Sequence, residues 1–169
     1  MSENSDFWVG PSAAPETYEL IGELGSGGEG QVWKGVVPLS DAGRRLVAIK
    51  ILLGTGAPDE EYQWKRFGHL LMSLSHAGLV RVTEVFTGPR LHRKGTVAPR
   101  GVMRYVVMDF VEGDTLREWI ADHPEANVAT RIQQLRTVAS ALDEMHSGHT
   151  TEVAAGDRRV RAAGPHLRL

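Results

Sequence analysis

From Tyr18 onward small and polar residues give way to short apolar runs, and the period of those runs changes along the chain. Tyr18 to Leu24 and Gln31 to Val37 are rich in residues that suit a pleated surface, with a glycine cluster between them, a layout that predicts a hairpin bent around a ligand. Leu46 to Leu52 predicts a third strand. The segment before it, Pro38-Leu39-Ser40-Asp41-Ala42-Gly43-Arg44, has turn chemistry at both ends and predicts an exposed connection. The period then becomes helical. Phe67, Leu70, Leu71 and Leu74 fall at i, i+3, i+4 and i+7, and Asp59, Glu60 and Glu61 precede them where a helix dipole favours acids. Leu79 to Phe86 and Met103 to Phe110 predict two more strands, joined by a long basic loop with Gly88-Pro89 and Ala98-Pro99. Past Gly113, Thr115 is placed to cap a short helix containing Leu116, Trp119 and Ile120. A longer amphipathic helix, from about Asn127 to His146, carries Ile132, Leu135, Val138, Ala139, Leu142 and Met145.

Three strands, one helix and two strands in succession predict an α+β fold: a five-stranded antiparallel sheet with one helix on a face, followed by two helices. Residues 1–16, ending Gly10-Pro11-Ser12-Ala13-Ala14-Pro15-Glu16, have no apolar period and predict a flexible leader, with structure beginning near Thr17. After Gly148-His149 periodicity vanishes, and residues 150–169 read as an irregular tail dominated from Gly156 by Arg, Ala, Gly, Pro, His, Val and Leu. The expected organisation is therefore a leader over 1–16, a sheet domain over 17–110, a connection and helices over 111–149, and the tail.

Composition narrows the chemistry. The chain has 169 residues, 41% of them apolar, and a net charge of −2, which suits a domain with a real core. No apolar run approaches the roughly 18 residues of a membrane helix, and the acidic start Met1-Ser2-Glu3-Asn4-Ser5-Asp6 is unlike a secretory signal, so a cytoplasmic address is expected. The absence of cysteine excludes disulfides, thiolate metal sites and cysteine nucleophiles, and the seven histidines lack ligand spacing, so no structural metal is expected. Arg90, His92, Arg93, Lys94, Arg100 and Arg104 form one basic run; a solvated loop is its simpler reading, and no nucleic-acid partner is expected.

The most specific chemistry lies between residues 24 and 50. Gly25, Gly27 and Gly30 leave room for backbone N–H groups to approach an anion and permit turns of positive φ, as phosphate binding requires. A dinucleotide-binding turn would open a helix and be followed about twenty residues later by an acid. Here the glycines open a strand, and the residue twenty beyond Gly30 is Lys50. Strand alternation puts Ala48 and Lys50 on one side of Val47-Ala48-Ile49-Lys50, and Gly30 and Val32 on one side of the strand before it. Val32 and Ala48 are thus placed to sandwich a purine while Lys50 reaches phosphates; the competing reading is an edge lysine, which leaves its place inside an apolar run unexplained.

With these residues on the page, 17 to about 149 resemble the N-terminal lobe, hinge and first C-lobe helices of a bacterial (actinobacterial-type) serine/threonine protein kinase. The glycine loop Leu24-Gly25-Ser26-Gly27-Gly28-Glu29-Gly30-Gln31-Val32 and Val47-Ala48-Ile49-Lys50 carry the likeness. His76-Ala77-Gly78-Leu79-Val80 is similar to the turn after the family's regulatory helix, and Val106-Val107-Met108-Asp109-Phe110-Val111-Glu112-Gly113-Asp114-Thr115-Leu116 to its hinge. The resemblance implies ATP as ligand, accompanied by Mg2+, with Leu24 and the loop glycines lining the site. It further implies Met108 at the gatekeeper position, adenine contacts from the backbones of Asp109 and Val111, and phosphate contact by Lys50.

Two departures bear on activity. The family's helix glutamate, which pairs with the strand lysine, aligns with Phe67, while Glu60 and Glu61 stand two turns, roughly 10 Å, towards the helix start. The sequence also has no His-Arg-Asp and no Asp-Phe-Gly; the tail carries Asp157-Arg158-Arg159 instead. The chain alone is therefore expected to lack phosphotransferase activity, with Lys50 serving only to position phosphate and with the protein ligands for magnesium missing. A fragment or frame loss near residue 155, a pseudokinase-like nucleotide-binding module and a scaffold without nucleotide remain the alternatives. The stripe on the last helix is expected to be uncovered, a candidate surface for a protein partner.

Overall fold

A computed structural model describes residues 6–39, 43–52 and 58–146, and these fall in two compact units. One lies within Met1–Ser73 and Arg81–Glu112, the other within Leu74–Val80 and Gly113–Leu169. In the first, strands β1 (Phe7–Val9), β2 (Tyr18–Gly27), β3 (Gly30–Pro38), β4 (Arg44–Leu52), β5 (Val82–Pro89), β6 (His92–Arg93) and β7 (Val102–Asp109) form one sheet in the order β5-β7-β4-β3-β2-β1-β6. Every pairing is antiparallel. Helix α1 (Pro58–Ser73) follows β4 and packs on β5.

Alternation along β4 sends Val47, Ile49 and Ile51 into the core with Tyr105 and Val107 of β7, Leu20 of β2 and Val9 of β1, all essentially inaccessible to solvent. Full burial of such side chains stabilises by about 1.5–3 kcal/mol each. The sheet curls enough for β2 side chains to meet those of β5. Tyr18 stacks on Phe86 at 5.9 Å, Phe86 stacks on Tyr105 at 4.8 Å, and the Tyr18 hydroxyl donates to the Glu84 carboxylate. Burial raises the Tyr18 and Tyr105 hydroxyls well above the ordinary tyrosine value, and at Tyr18 the Glu84 carboxylate adds to the rise.

The antiparallel α+β architecture agrees with the pattern, with differences. Residues 7–9 are not leader: Phe7 pairs with Leu20 and Val9 with Tyr18, and Trp8 and Val9 are buried. Three consecutive β-prone apolar side chains suffice once β2 offers an edge. The basic loop contains β6, in which His92 is buried and Lys94 lies 4.6 Å over the Trp8 ring, so part of that run braces the sheet. Among the described residues the sheet thus has seven strands, not five. On α1 the buried face centres on Trp64 and Gly68, flanked by Phe67, which contacts Trp64 at 5.5 Å between ring centres. Gly68 is small because a Cβ there would come 3.0 Å from Val85. The side chains of Asp59 and Glu60 lie outside the described residues, as does the expected tail from residue 147 onward. The exposed connection after β3 is described only at its ends, where the Leu39 N–H donates to the Gly43 carbonyl at 2.9 Å.

In the second unit the expected strand start at Leu79 is instead a turn. His76 Nδ1 accepts the Gly78 N–H at 2.9 Å, which leaves the proton on Nε2 to donate to Ser140 Oγ at 3.0 Å. Ser140 lies on α3 (Val128–His146), and Ala141 beside it is buried next to Gly78. Helix α2 (Leu116–Asp122) starts with a capping box: Thr115 accepts the Glu118 N–H, and Glu118 accepts the Thr115 N–H at 2.7 Å. The Thr115 hydroxyl, which donates to the Glu118 carboxylate at 2.7 Å, and after it the Thr115 N–H hold that carboxyl below its usual value. Along α3 the apolar stripe is open: Ile132, Leu135 and Val138 each keep about half their surface exposed.

Candidate functional site

The glycine cluster forms the β2–β3 hairpin, closing at Gly27 opposite Gly30, with Ser26 opposite Gln31 and Gly25 opposite Val32. Irregularities in β2 register between Leu20 and Gly22 and between Glu23 and Gly25 bend this ribbon. The loop glycines divide into two kinds. Gly30 has φ +142°, and a Cβ there would lie 1.9 Å from the Ile51 carbonyl oxygen, so only glycine lets β3 pass this close to β4. Around Gly25, Gly27 and Gly28 nothing lies within 4 Å of where a Cβ would sit. The protein itself does not fill the space beside them.

Register collects the other nominated residues. Val32 is directly opposite Lys50, and Ala48 is opposite Met108. Cross-strand partners share a face, so Val32, Ala48, Lys50 and Met108 make one contiguous patch across β3, β4 and β7, on the side away from Val47, Ile49 and Ile51. Ala48 is buried, Val32 and Met108 are half-buried, and the Lys50 side chain is 34% exposed. The result is a small apolar floor bordered by a cation, on strands continuous with an open glycine hairpin. Asp109 ends β7 with its N–H committed to the Arg81 carbonyl at 3.0 Å, so any ligand contact by its backbone falls to its carbonyl. Val111 lies beyond the strand and is largely exposed; Leu24, at the second irregularity of β2, is half exposed. Lys34 braces the segment between Asp109 and Val111, its ammonium 4.4 Å from the centre of the Phe110 ring.

Lys50 forms an ion pair that the sequence reading did not include. Its Nζ donates to Glu29 Oε2 at 3.1 Å, from the tip of the glycine hairpin. On α1 the position aligned with the family glutamate is Phe67, packed on Trp64, while Glu61 pairs with Lys65 one turn along at 2.9 Å. The signal available in the sequence was an acid inside the glycine cluster, one residue from the pinned Gly30. Among the described residues no group of three or more His, Asp or Glu is arranged to hold a metal ion.

The family model described as protein tyrosine and serine/threonine kinase matches residues 18–152, more than half of the chain. The chain is 29% identical over 134 residues to a probable serine/threonine-protein kinase PknB of Lactococcus lactis, covering 78% of this chain and 19% of that protein. It is 26% identical over 131 residues to serine/threonine-protein kinase PrkC of Bacillus subtilis, covering 76% and 18% respectively. The chain thus spans under a fifth of the length of these curated relatives. Among solved structures, the Mycobacterium tuberculosis PknI kinase domain, a double mutant, superposes with TM-score 0.53 at 22% identity, covering 78% of this chain and 47% of that one, a likeness of fold. With the glycine hairpin, the strand lysine and the matched span in agreement, the chain belongs to the protein tyrosine and serine/threonine kinase family.

Proposed function

We propose that this chain is the ATP-binding portion of a serine/threonine protein kinase. The observation that carries the reading is the patch of Val32, Ala48, Lys50 and Met108 on one face of the sheet, beside a hairpin whose glycines leave open space. A buried alanine gives a flat apolar floor for a purine, and a half-exposed lysine next to it gives a cation for phosphate oxygens. Leu24, Gly25, Gly27 and Gly30 would line the phosphate side, and Asp109 and Val111 the adenine side. ATP fits these residues. Magnesium enters this reading as the companion of the phosphates, with no protein ligand assigned to it.

In a whole kinase the product of this binding is phosphoryl transfer to protein serine or threonine. The 169-residue chain by itself holds no His-Arg-Asp base segment and no Asp-Phe-Gly segment, so binding without turnover is the expected behaviour. A second reading, a regulatory pseudokinase-like module, is favoured by one observation: the Lys50 partner is Glu29 of the hairpin, while α1 presents Phe67 where an acid would stand. Calorimetry with ATP and Mg2+ tests the proposal. The folded chain should show saturable binding, and Lys50→Met should weaken it by about tenfold or more, the loss of a charged hydrogen bond. Absence of any binding heat from well-folded protein would overturn it.

A further inference from the structure

The ion pair between Lys50 and Glu29 places an anion of the protein's own on the cation nominated to hold phosphate. We infer that Glu29 is a gate: its carboxylate occupies the Lys50 ammonium in the free protein and has to leave before a nucleotide's phosphates can take that position. This inference rests on the proposed ATP site and goes beyond it by assigning a role to a hairpin residue that the site itself does not require.

Backbone geometry makes such a gate mechanically reasonable. Glu29 immediately precedes Gly30, which is held against the Ile51 carbonyl at the residue next to Lys50, so the carboxylate is delivered to the ammonium from a fixed joint. On its other side Gly27 and Gly28 have open surroundings, and glycine passes readily between backbone conformations. The tip is thus anchored at Gly30 on the β3 side, and the ladder ends at Gly27 on the β2 side, so movement of Glu29 falls to the turn it forms with Gly28. Exposure sets the strength of the contact. The Glu29 side chain is 84% exposed and that of Lys50 34%, so water and salt weaken their attraction, and a polyanion with several phosphate oxygens outcompetes a single carboxylate. A ligand lacking phosphates gains nothing from displacing it. The gate therefore favours nucleotides over nucleosides, because only a phosphate offers Lys50 a better partner than the one it already has.

The test compares wild-type chain with Glu29→Gln, which keeps the side chain's size and removes its charge. With ATP and Mg2+ at low ionic strength, the variant should bind about two- to fivefold tighter, the range of an exposed ion pair. Adenosine affinity should be equal in the two proteins, and the ATP difference should shrink towards nothing in about 1 M salt, where screening acts over a few ångströms. A readout without nucleotide accompanies this: acetylation of Lys50, followed by mass spectrometry, should be faster in Glu29→Gln than in wild type, with Lys65 as internal reference. Equal ATP affinity and equal Lys50 acetylation in the two proteins would overturn the gate while leaving the ATP site standing. Failure of both proteins to bind ATP would overturn both.

Discussion

The two kinds of glycine in the β2–β3 hairpin make opposite predictions for the same substitution. In Gly30→Ala the new methyl would start 1.9 Å from the Ile51 carbonyl oxygen, and at φ +142° an L side chain is rarely accommodated. Backbone strain of this kind costs about 1–3 kcal/mol. Moving β3 away from β4 by the ångström or more that relieves the overlap costs a similar amount, as overpacking generally does. The expected destabilisation is about 2–4 kcal/mol, which in a domain of about 100 residues lowers the Tm by at least about 8 °C. In Gly27→Ala the methyl meets nothing within 4 Å, so the Tm should stay within about 2 °C of wild type. That methyl nevertheless takes space proposed for phosphates, and ATP affinity should fall. Differential scanning fluorimetry of both variants, with and without ATP, measures all of these quantities. A Gly30→Ala protein melting within about 2 °C of wild type would refute the assignment of Gly30 as a packing glycine and the register that places it against Ile51.

Removing residues 1–9 should lower the unfolding free energy by about 3 kcal/mol or more, since it strips two buried side chains, Trp8 and Val9, from the sheet; an unchanged urea midpoint would mean that β1 contributes nothing. At alkaline pH the two buried tyrosines set the slope of stability. Their folded-state values are raised above the ordinary 10.0, so the stabilisation is complete below pH 10 and is lost as pH rises beyond it, and ultraviolet titration should show Tyr18 and Tyr105 ionising together with unfolding and not before it. The open stripe of α3 should bind a hydrophobic dye or drive self-association, and Leu135→Glu with Val138→Glu should reduce either signal; a dye-silent, monodisperse wild-type chain would contradict this.

Much of the fold was legible because long elements repeat their period. The nine-residue strand Arg44–Leu52 alternates its burial over Val47 to Leu52 except at Ala48, and the helix of residues 128–146 shows its stripe at spacings of three and four. Short elements carry no period to read. Phe7-Trp8-Val9 becomes a strand only because Leu20, Glu19 and Tyr18 lie opposite, a tertiary fact, and His92-Arg93 is a strand only because β1 is. Leu79 and Val80 look like the start of β5, yet the His76 ring captures the Gly78 N–H and turns the chain away. Trp64 was within reach of the periodic reading, standing three residues before Phe67 and seven before Leu71. At the site, Ala48 and Lys50 followed from alternation alone, whereas the pairing of Glu29 with Lys50 depends on β3–β4 register, which brings the hairpin tip to the lysine.

A single strand ties the proposed nucleotide site to the core of the sheet. β4 sends Val47, Ile49 and Ile51 to the core and Ala48 and Lys50 to the opposite face, so the residues that stabilise the sheet and those proposed to hold ATP are set by one alternation. All ten nominated residues, from Leu24 to Val111, fall within one compact unit. On the proposed reading the nucleotide is positioned by residues of this unit, and phosphoryl transfer asks in addition for a base and metal ligands, roles assigned to none of the ten. On this reasoning Lys50→Met should abolish an ATP-induced thermal shift of the sheet unit, while Leu135→Glu on α3 should leave that shift intact.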